Sequence, residues 1–493
     1  MKAKRLLYIL MAAALVIVSC DPVQPDNQEE KKEEQKEEGK KIPEDIMQAD
    51  QFAYEVLGSY YLWSKEIGKD LDKLKPTVCE DPISVVKQIR YKENDKDVDK
   101  WTVLTDDIGS MESSVQGLGL SYGYDLQPYW VDNTQTSIVM AVNYVVKDGP
   151  AEKAGVKRGD LIWKLDGKTI TKANYYDAYD SKSIVLGIGK DSSKLISVSL
   201  SALDMWEDPV LVNKVFDIDG KKVGYLVYNS FDLKSSETLP DVFRQFKADG
   251  ISELIIDLRY NGGGYTFTEC ELASMIAPPA NVAAKDVFQT EVFNADYAAY
   301  LKRQNYDVNT YFSTHHTMAS YKIDEDVSDA NPGVSKLYAI VSGGTASASE
   351  GLIVGLDPYM DITLVGNQTY GKYCAGFMIH PEDWFEKAAS YSKIKNWGIY
   401  VMISKFADKN GKNAAQPDGI PVDIEVDDNP FDGYQLGDEN ETMLKAALKA
   451  AGKKYTRSST DVRVPELAPV EGFGSRRPKG ILIKTDDFHK VIE

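Results

Sequence analysis

Residues 337–350 constrain the fold of this chain more than any other stretch. An apolar run, Leu337-Tyr338-Ala339-Ile340-Val341, enters a Gly343-Gly344 turn, and Thr345-Ala346-Ser347-Ala348-Ser349-Glu350 follows where a helical pattern begins. A buried strand that turns this tightly into a helix needs small residues, and it leaves backbone N–H groups and a hydroxyl facing one space. That arrangement suits a nucleophilic serine, which needs a proton acceptor. The four histidines, His315, His316, His380 and His489, lie in no comparably ordered segment. A lysine does: Gly371-Lys372 closes the turn after Ile362-Thr363-Leu364-Val365-Gly366. Serine–lysine pairs are a known alternative to Ser–His–Asp, so the residues imply hydrolytic acyl transfer with a lysine base.

The N-terminus reads as an export signal over residues 1–19. Lys2, Lys4 and Arg5 precede an apolar run over 6–18 that is too short for a tilted membrane span. The run ends at Ile17-Val18-Ser19-Cys20, which resembles a bacterial lipobox. The resemblance implies cleavage before Cys20, lipidation of Cys20, and anchoring in the cell envelope at the outer membrane, on its periplasmic face or at the cell surface. Residues 20–42 form a charged Glu/Lys/Gln tether with almost no apolar periodicity. A net charge of −19 and the lack of a basic stripe exclude nucleic acid as a partner. Cys79, Cys270 and Cys374 remain after processing, an odd set without metal-ligand spacing, so neither a metal site nor a cofactor is expected.

Residues 43–109 carry apolar residues at roughly helical spacing: Ile46, Phe52, Val56, Leu57, Tyr60, Tyr61 and Trp63. Over 110–205 short strand-like runs alternate with turns. Pro150 is suited to start a short helix and Gly155 to end it. Asp166-Gly167 between two apolar runs is a strong hairpin signal. Residues 110–205 resemble a PDZ domain, most specifically in the block from Gly149-Pro150-Ala151 to Gly159-Asp160-Leu161-Ile162. The resemblance implies that an extended C-terminal peptide binds as an added strand, its carboxylate held by amides of Gly117, Leu118, Gly119 and Leu120.

Residues 206–455 alternate strands and helices, which argues for a covered, largely parallel sheet. Residues 285–335, rich in aromatics and Asn, read as an insertion, and 456–493 as an extended tail with one candidate strand over 480–483. A second informative block, Asp257-Leu258-Arg259-Tyr260-Asn261-Gly262-Gly263-Gly264, follows a buried strand. Its glycines expose amides suited equally to an anion or an oxyanion. The block lacks the Gly-Lys-Ser/Thr ending of a P-loop.

Taken together, signal, helical segment, PDZ-like module, Asp-Leu-Arg-Tyr-Asn-Gly-Gly-Gly, Ser-Ala-Ser-Glu and Gly-Lys resemble the C-terminal processing (tail-specific) serine protease family, over roughly residues 45–450. The resemblance implies a multidomain α+β chain with an N-terminal helical segment, a PDZ-like module and an α/β protease core. It also implies Ser347 as nucleophile, Lys372 as base, and the amides of Ala348 and Gly263 as the oxyanion hole, with polypeptides as substrates. Pro417-Asp418-Gly419 resembles the family's Pro-Asp segment near the end of the core. One position departs: family members often carry Gln four residues after the lysine, to orient it, where this chain has Gly376. Ser349 is a rival nucleophile on motif shape, and its spacing to Lys372 disfavours it. A rival for the whole chain is an inactive PDZ scaffold at the cell surface.

A lysine with its ordinary pKa of about 10.4 is protonated at neutral pH and cannot act as a base. Burial disfavours the charged form, and Ile340, Val341, Leu364 and Val365 are the apolar residues expected to supply it.

Overall fold

The computed structural model describes residues 42–455, 467–470 and 480–484. The expected export signal over residues 1–19, Cys20 and the expected tether as far as residue 41 lie outside the described residues.

The N-terminal part is helical but not wholly so. Helix α1 (Glu44–Tyr60) buries Phe52, Val56, Leu57 and Tyr60, the face expected from the spacing. Helix α2 (Pro82–Ile89) starts at Asp81, whose carboxylate accepts from the Ser84 N–H. A short strand, β1 (Val103–Thr105), and α3 (Ile108–Val115) complete it.

The module follows. Strand β2 (Leu118–Ser121) leads to β3 (Tyr124–Trp130) and β4 (Ile138–Val145). Helix α4 (Pro150–Lys153) starts at Pro150, and Gly155 takes the left-handed conformation just beyond it, as the sequence predicts. Strand β5 (Leu161–Leu165) turns at Asp166 and Gly167, both left-handed, onto Lys168–Thr169. Helix α5 (Asp177–Asp180) and strands β6 (Ser183–Ile188) and β7 (Ile196–Ser201) close a sheet in the order β7-β6-β5-β4-β3. Strand β8 (Leu203–Trp206) leaves this sheet and pairs antiparallel with β2 alone. The module has its own core, built around Leu126, Met140, Val142, Ile162 and Leu186.

Two sheets make the larger part. The first has the order β9 (Val210–Ile218), β10 (Lys221–Tyr228), β11 (Glu253–Asp257), β14 (Lys336–Val341), β15 (Asp361–Gly366), β18 (Ile424–Glu425). It is parallel throughout except for the β9–β10 pair. Its strands are near-continuous apolar runs because helices such as α6 (Leu239–Asp249) and α9 (Thr442–Ala450) cover it. The second sheet is mostly antiparallel, which corrects the expectation of one largely parallel sheet. Its centre is β17 (Gly398–Ala407), flanked by β16 (Cys374–Ile379), β13 (Val287–Phe293) and β1. Strand β12 (Gly263–Tyr265) and the chain's tail complete it. The stretch 285–335 is therefore no mere appendage, since β13 is integral to the sheet. Helices α7 (Thr266–Ile276) and α8 (Ala348–Leu356) are buried along nearly their whole length.

Two tail strands are described. Strand β19 (Ala468–Pro469) pairs with the free edge of β3 in the module. Strand β20 (Ile481–Ile483) lies parallel to β12 and parallel to β16. The tail's candidate strand is thus observed at the predicted place. Cys79, Cys270 and Cys374 are all buried, and none of them is in a disulfide.

Candidate active site

Strand β14 delivers the chain to Ser347 at the N-cap of α8. Ser347 has φ 64° and ψ −114°, a backbone conformation a side-chain-bearing residue adopts only when its surroundings hold it there. They do so with hydrogen bonds. The Thr345 hydroxyl donates to the Leu258 carbonyl at 2.8 Å, and the Ala346 N–H to the Asn261 carbonyl at 3.1 Å. The Asn261 side chain spans to the Tyr228 carbonyl at 3.0 Å. The strand-to-helix elbow and the glycine turn are therefore one stitched unit.

Glu350 fastens the second loop to the first. Its carboxylate, fully buried, accepts from the N–H groups of Ser347 (2.8 Å), Gly371 (2.7 Å) and Lys372 (2.9 Å) and from the Thr369 hydroxyl (2.5 Å). The Ser347 and Lys372 amides meet the same oxygen, Oε2, which brings the two sequence-predicted residues side by side. Burial raises the Glu350 pKa, and these donors pull against it.

Lys372 is fully buried, and burial pushes its ammonium down to about 7. Nearby Cys374, Asp99 and Glu350 offset part of that fall. Its Nζ donates to the Tyr400 hydroxyl at 2.9 Å and to the Gly480 carbonyl at 2.8 Å, and lies 5.0 Å from the ring centroids of both Trp101 and Tyr400. The aliphatic residues Ile340, Val341, Leu364 and Val365 lie in the adjoining strands β14 and β15. Tyr400 answers the departure at Gly376. A Cβ on Gly376 would stand 2.6 Å from Met402 Cε and from the Val401 carbonyl oxygen, so no Gln side chain fits there. The neighbouring Cys374 thiol is buried and its pKa is raised, which keeps it a protonated, unreactive thiol.

The two serines differ sharply. The Ser349 hydroxyl donates to the Asn261 carbonyl at 3.1 Å and helps hold the turn. The Ser347 Oγ is buried and has no hydrogen-bond partner among the described residues. Gly263, with φ 108°, packs so closely that a Cβ there would stand 2.7 Å from the Ser347 Cβ. Its N–H, expected in the oxyanion hole, is instead held by the Asn261 side-chain oxygen at 2.9 Å. Ala348 occupies the first turn of α8, where amides have no intrahelical acceptor.

Beneath the glycine turn Arg259 is fully buried among carboxylates. It bonds Asp257 (2.6 Å), Asp428 (2.8 Å) and both oxygens of Glu441 (2.7 and 3.0 Å). Arg158, from the module, meets the same Asp428 at 2.6 Å and donates to the Tyr260 hydroxyl at 2.5 Å. Facing these two cations, Asp428 is held down at about 2 despite its burial.

Residues 117–120 lie elsewhere. They enter β2, whose partner is β8; Leu118 and Leu120 are exposed, and Gly117 and Gly119 have positive φ. The edge that carries an added strand is β3. The sequence reading missed Tyr400, Trp101, Asn261 and Gly480, and gave Glu350 no role. Only Asn261 and Glu350 sit inside a recognisable motif.

Residues 222–426 match peptidase family S41, and residues 141–180 match the PDZ domain. Over 278 residues the chain is 24% identical to the chloroplastic C-terminal processing peptidase of Tetradesmus obliquus, covering 52% of each. Over 234 residues it is 24% identical to the carboxy-terminal processing protease CtpA of Bacillus subtilis, covering 46% of this chain and 43% of that protein. A Staphylococcus aureus protein described as a CtpA-like serine protease is 23% identical over 428 residues, 83% of this chain and 72% of that one. The chain thus spans about half the length of the first two relatives. A crystal structure from Bacteroides fragilis NCTC 9343, described as an S41 protease, shares the fold. Its TM-score is 0.64 at 24% identity, covering 81% of this chain and 96% of that one.

Proposed function

We propose that this chain, which carries a peptidase family S41 region and a PDZ domain, is a serine endopeptidase of the cell envelope that cleaves polypeptides with a Ser347–Lys372 dyad. One observation carries the reading: a strained serine whose hydroxyl has no partner among the described residues shares a carboxylate anchor with a fully buried lysine whose pKa falls to about 7.

Neutral Lys372 takes the proton from the Ser347 hydroxyl as Oγ attacks the scissile carbonyl. The negative charge passes to the carbonyl oxygen, which meets the Ala348 amide and, once Asn261 releases it, the Gly263 amide. Lys372 then gives its proton to the leaving amine as the C–N bond breaks. Water hydrolyses the acyl-enzyme by the same steps in reverse. The direct test is cleavage of an unstructured polypeptide by protein lacking residues 1–42, compared with its Ser347→Ala and Lys372→Ala forms.

The pH dependence has a definite sign. Only the neutral amine is a base, so kcat/KM should rise about tenfold per pH unit below about 7 and level off above it. The same group ties stability to pH. Between about 7 and the unfolded value of 10.5 the unfolded chain binds the proton the folded chain gives up, so this group's contribution to stability rises with pH. A rate that is flat from about pH 6 to pH 8 would count against a lysine base.

The module's part in this reading is to bind or gate substrate C-termini, supported by the strand already paired to the edge of β3. A peptide with a free C-terminus should be cleaved at lower KM than its amidated form. Equal KM values would make the module structural only. Location rests on the Cys20 motif. Cys20→Ser should move the protein from the membrane fraction to the soluble envelope fraction, and unchanged fractionation would dispose of the lipid anchor.

A further inference from the structure

The groove between β12 and β16, beside Ser347, is filled by the chain itself. The Gly480 N–H donates to the Gly262 carbonyl at 2.8 Å, and Ile481 pairs with Gly263. The Thr266 hydroxyl donates to the Ile483 carbonyl at 3.2 Å, and the Lys484 N–H to the Gly376 carbonyl at 3.0 Å. Gly480, Ile481, Ile483 and Lys484 are all buried. The strand therefore spends the backbone groups of the glycine turn and of β16 that an extended ligand would need.

Its fit is specific at four positions. Gly480 has φ 71°, and a Cβ there would stand 2.9 Å from Trp101 Nε1 and 3.4 Å from Lys372 Cδ, so the groove takes glycine at this point. Ile481 and Ile483 are buried with the protease core. The Lys484 ammonium pairs with the Glu291 carboxylate and lies 5.5 Å from the ring centroid of Phe293. A cavity of about 290 Å³ adjoins Lys484, lined by Phe288, Gln289, Glu291, His316 and Phe406 among others.

The same tail also holds the module. Strand β19 pairs with β3 through Ala468 and Pro469, the Val470 N–H donates to the Pro128 carbonyl at 3.0 Å, and Val470 is buried in the module's core. One segment thus occupies both places where the proposed function would put a substrate.

While it does so the site is set unproductively. The Lys372 Nζ is committed to the Gly480 carbonyl and the Tyr400 hydroxyl, Ser347 Oγ has no partner among the described residues, and the Gly263 amide is held by Asn261.

We propose that the groove between β12 and β16 is the acceptor for an extended polypeptide strand with glycine, branched apolar and basic residues in the order of residues 480–484, and that the chain's own tail sits there as a tethered inhibitor. The inhibitory half rests on the Ser347–Lys372 reading; the groove does not. A tethered ligand acts at an effective concentration in the millimolar range, so it blocks the groove even at modest intrinsic affinity.

Three proteins test this: the unaltered chain, a chain ending at Lys479, and a full-length chain with Ile481→Asp and Ile483→Asp. A labelled peptide with the sequence of residues 478–487 is titrated into the Ser347→Ala form of each. Cleavage of an unstructured polypeptide is followed with Ser347 intact. The shortened chain and the double variant should bind the peptide about 100-fold tighter than the unaltered chain and cleave about tenfold faster or more. Should the shortened chain fail to fold, the double variant decides alone. Equal binding by the unaltered and opened forms, or none by the opened forms, overturns the assignment. Tight binding to the opened forms with no Ser347-dependent cleavage upholds the groove and discards the dyad instead.

Discussion

Ser347→Ala is expected to lower cleavage by about 10⁴–10⁶-fold, because in a nucleophile–base pair that acts as a unit the loss of either member removes most of the catalysis. Stability should hardly change. The Ser347 Oγ has no hydrogen-bond partner among the described residues, so truncation breaks no observed bond and removes an unsatisfied buried hydroxyl. The conformation at φ 64° is held by bonds from Thr345, Ala346 and Glu350, none of which uses the Ser347 side chain. Ser349→Ala should show the opposite balance. It removes the bond to the Asn261 carbonyl and costs about 1 kcal/mol of stability, while cleavage survives. Rates and melting temperatures for the two variants side by side decide the matter. Cleavage that persists in Ser347→Ala would place the nucleophile elsewhere.

The largest loss of stability is expected from Glu441→Ala. Arg259 is fully buried and its two terminal nitrogens both face the Glu441 carboxylate. The variant loses both of these buried charge-assisted hydrogen bonds, at about 1.5–3 kcal/mol each, while Asp257 and Asp428 still balance the guanidinium charge. Glu441 also caps α9 by accepting from the Leu444 N–H, which adds about 1 kcal/mol. Activity should fall too, since the Arg259 carbonyl accepts the Ser342 hydroxyl at the entry to the elbow. The denaturation midpoint of the variant should drop well below that of the unaltered protein, and an unchanged midpoint would mean that water reaches Arg259. The cluster also fixes the acid limit. Asp428 lies below its ordinary value of 3.8, so the stability it contributes is full above that pH and is lost as the pH falls through about 2.

What the sequence makes legible here is local. The strand–glycine–helix pattern around Ser347, the turn that carries Lys372, the module's Asp166-Gly167 hairpin and the tail strand are each written in a few adjacent residues, and each is found. What it hides is assembly. Tyr400 and Trp101 flank Lys372 from strands and loops far away in the chain, and nothing in their neighbours marks them. The second sheet was invisible because β13 sits in an aromatic, weakly periodic stretch that gains its order by pairing with β17 and with residues 309–311. Gly376 looked like a lesion beside the lysine. With Met402, Val401 and Tyr400 packed against it, it is a position with no room for a side chain.

The place of β20 sets an order in time. Thr266 and Ile483, now bonded, are 217 residues apart, and Lys372 and Gly480 are 108 apart. Because chains emerge N-terminus first, the slot between β12 and β16 exists before the strand that fills it has been made. During that interval the slot stands open, as it does in a chain ending at Lys479, and Lys372 lacks the Gly480 carbonyl that it meets in the complete chain. The tail thus closes the site last, and any strand that reaches the slot earlier takes the place the tail would hold.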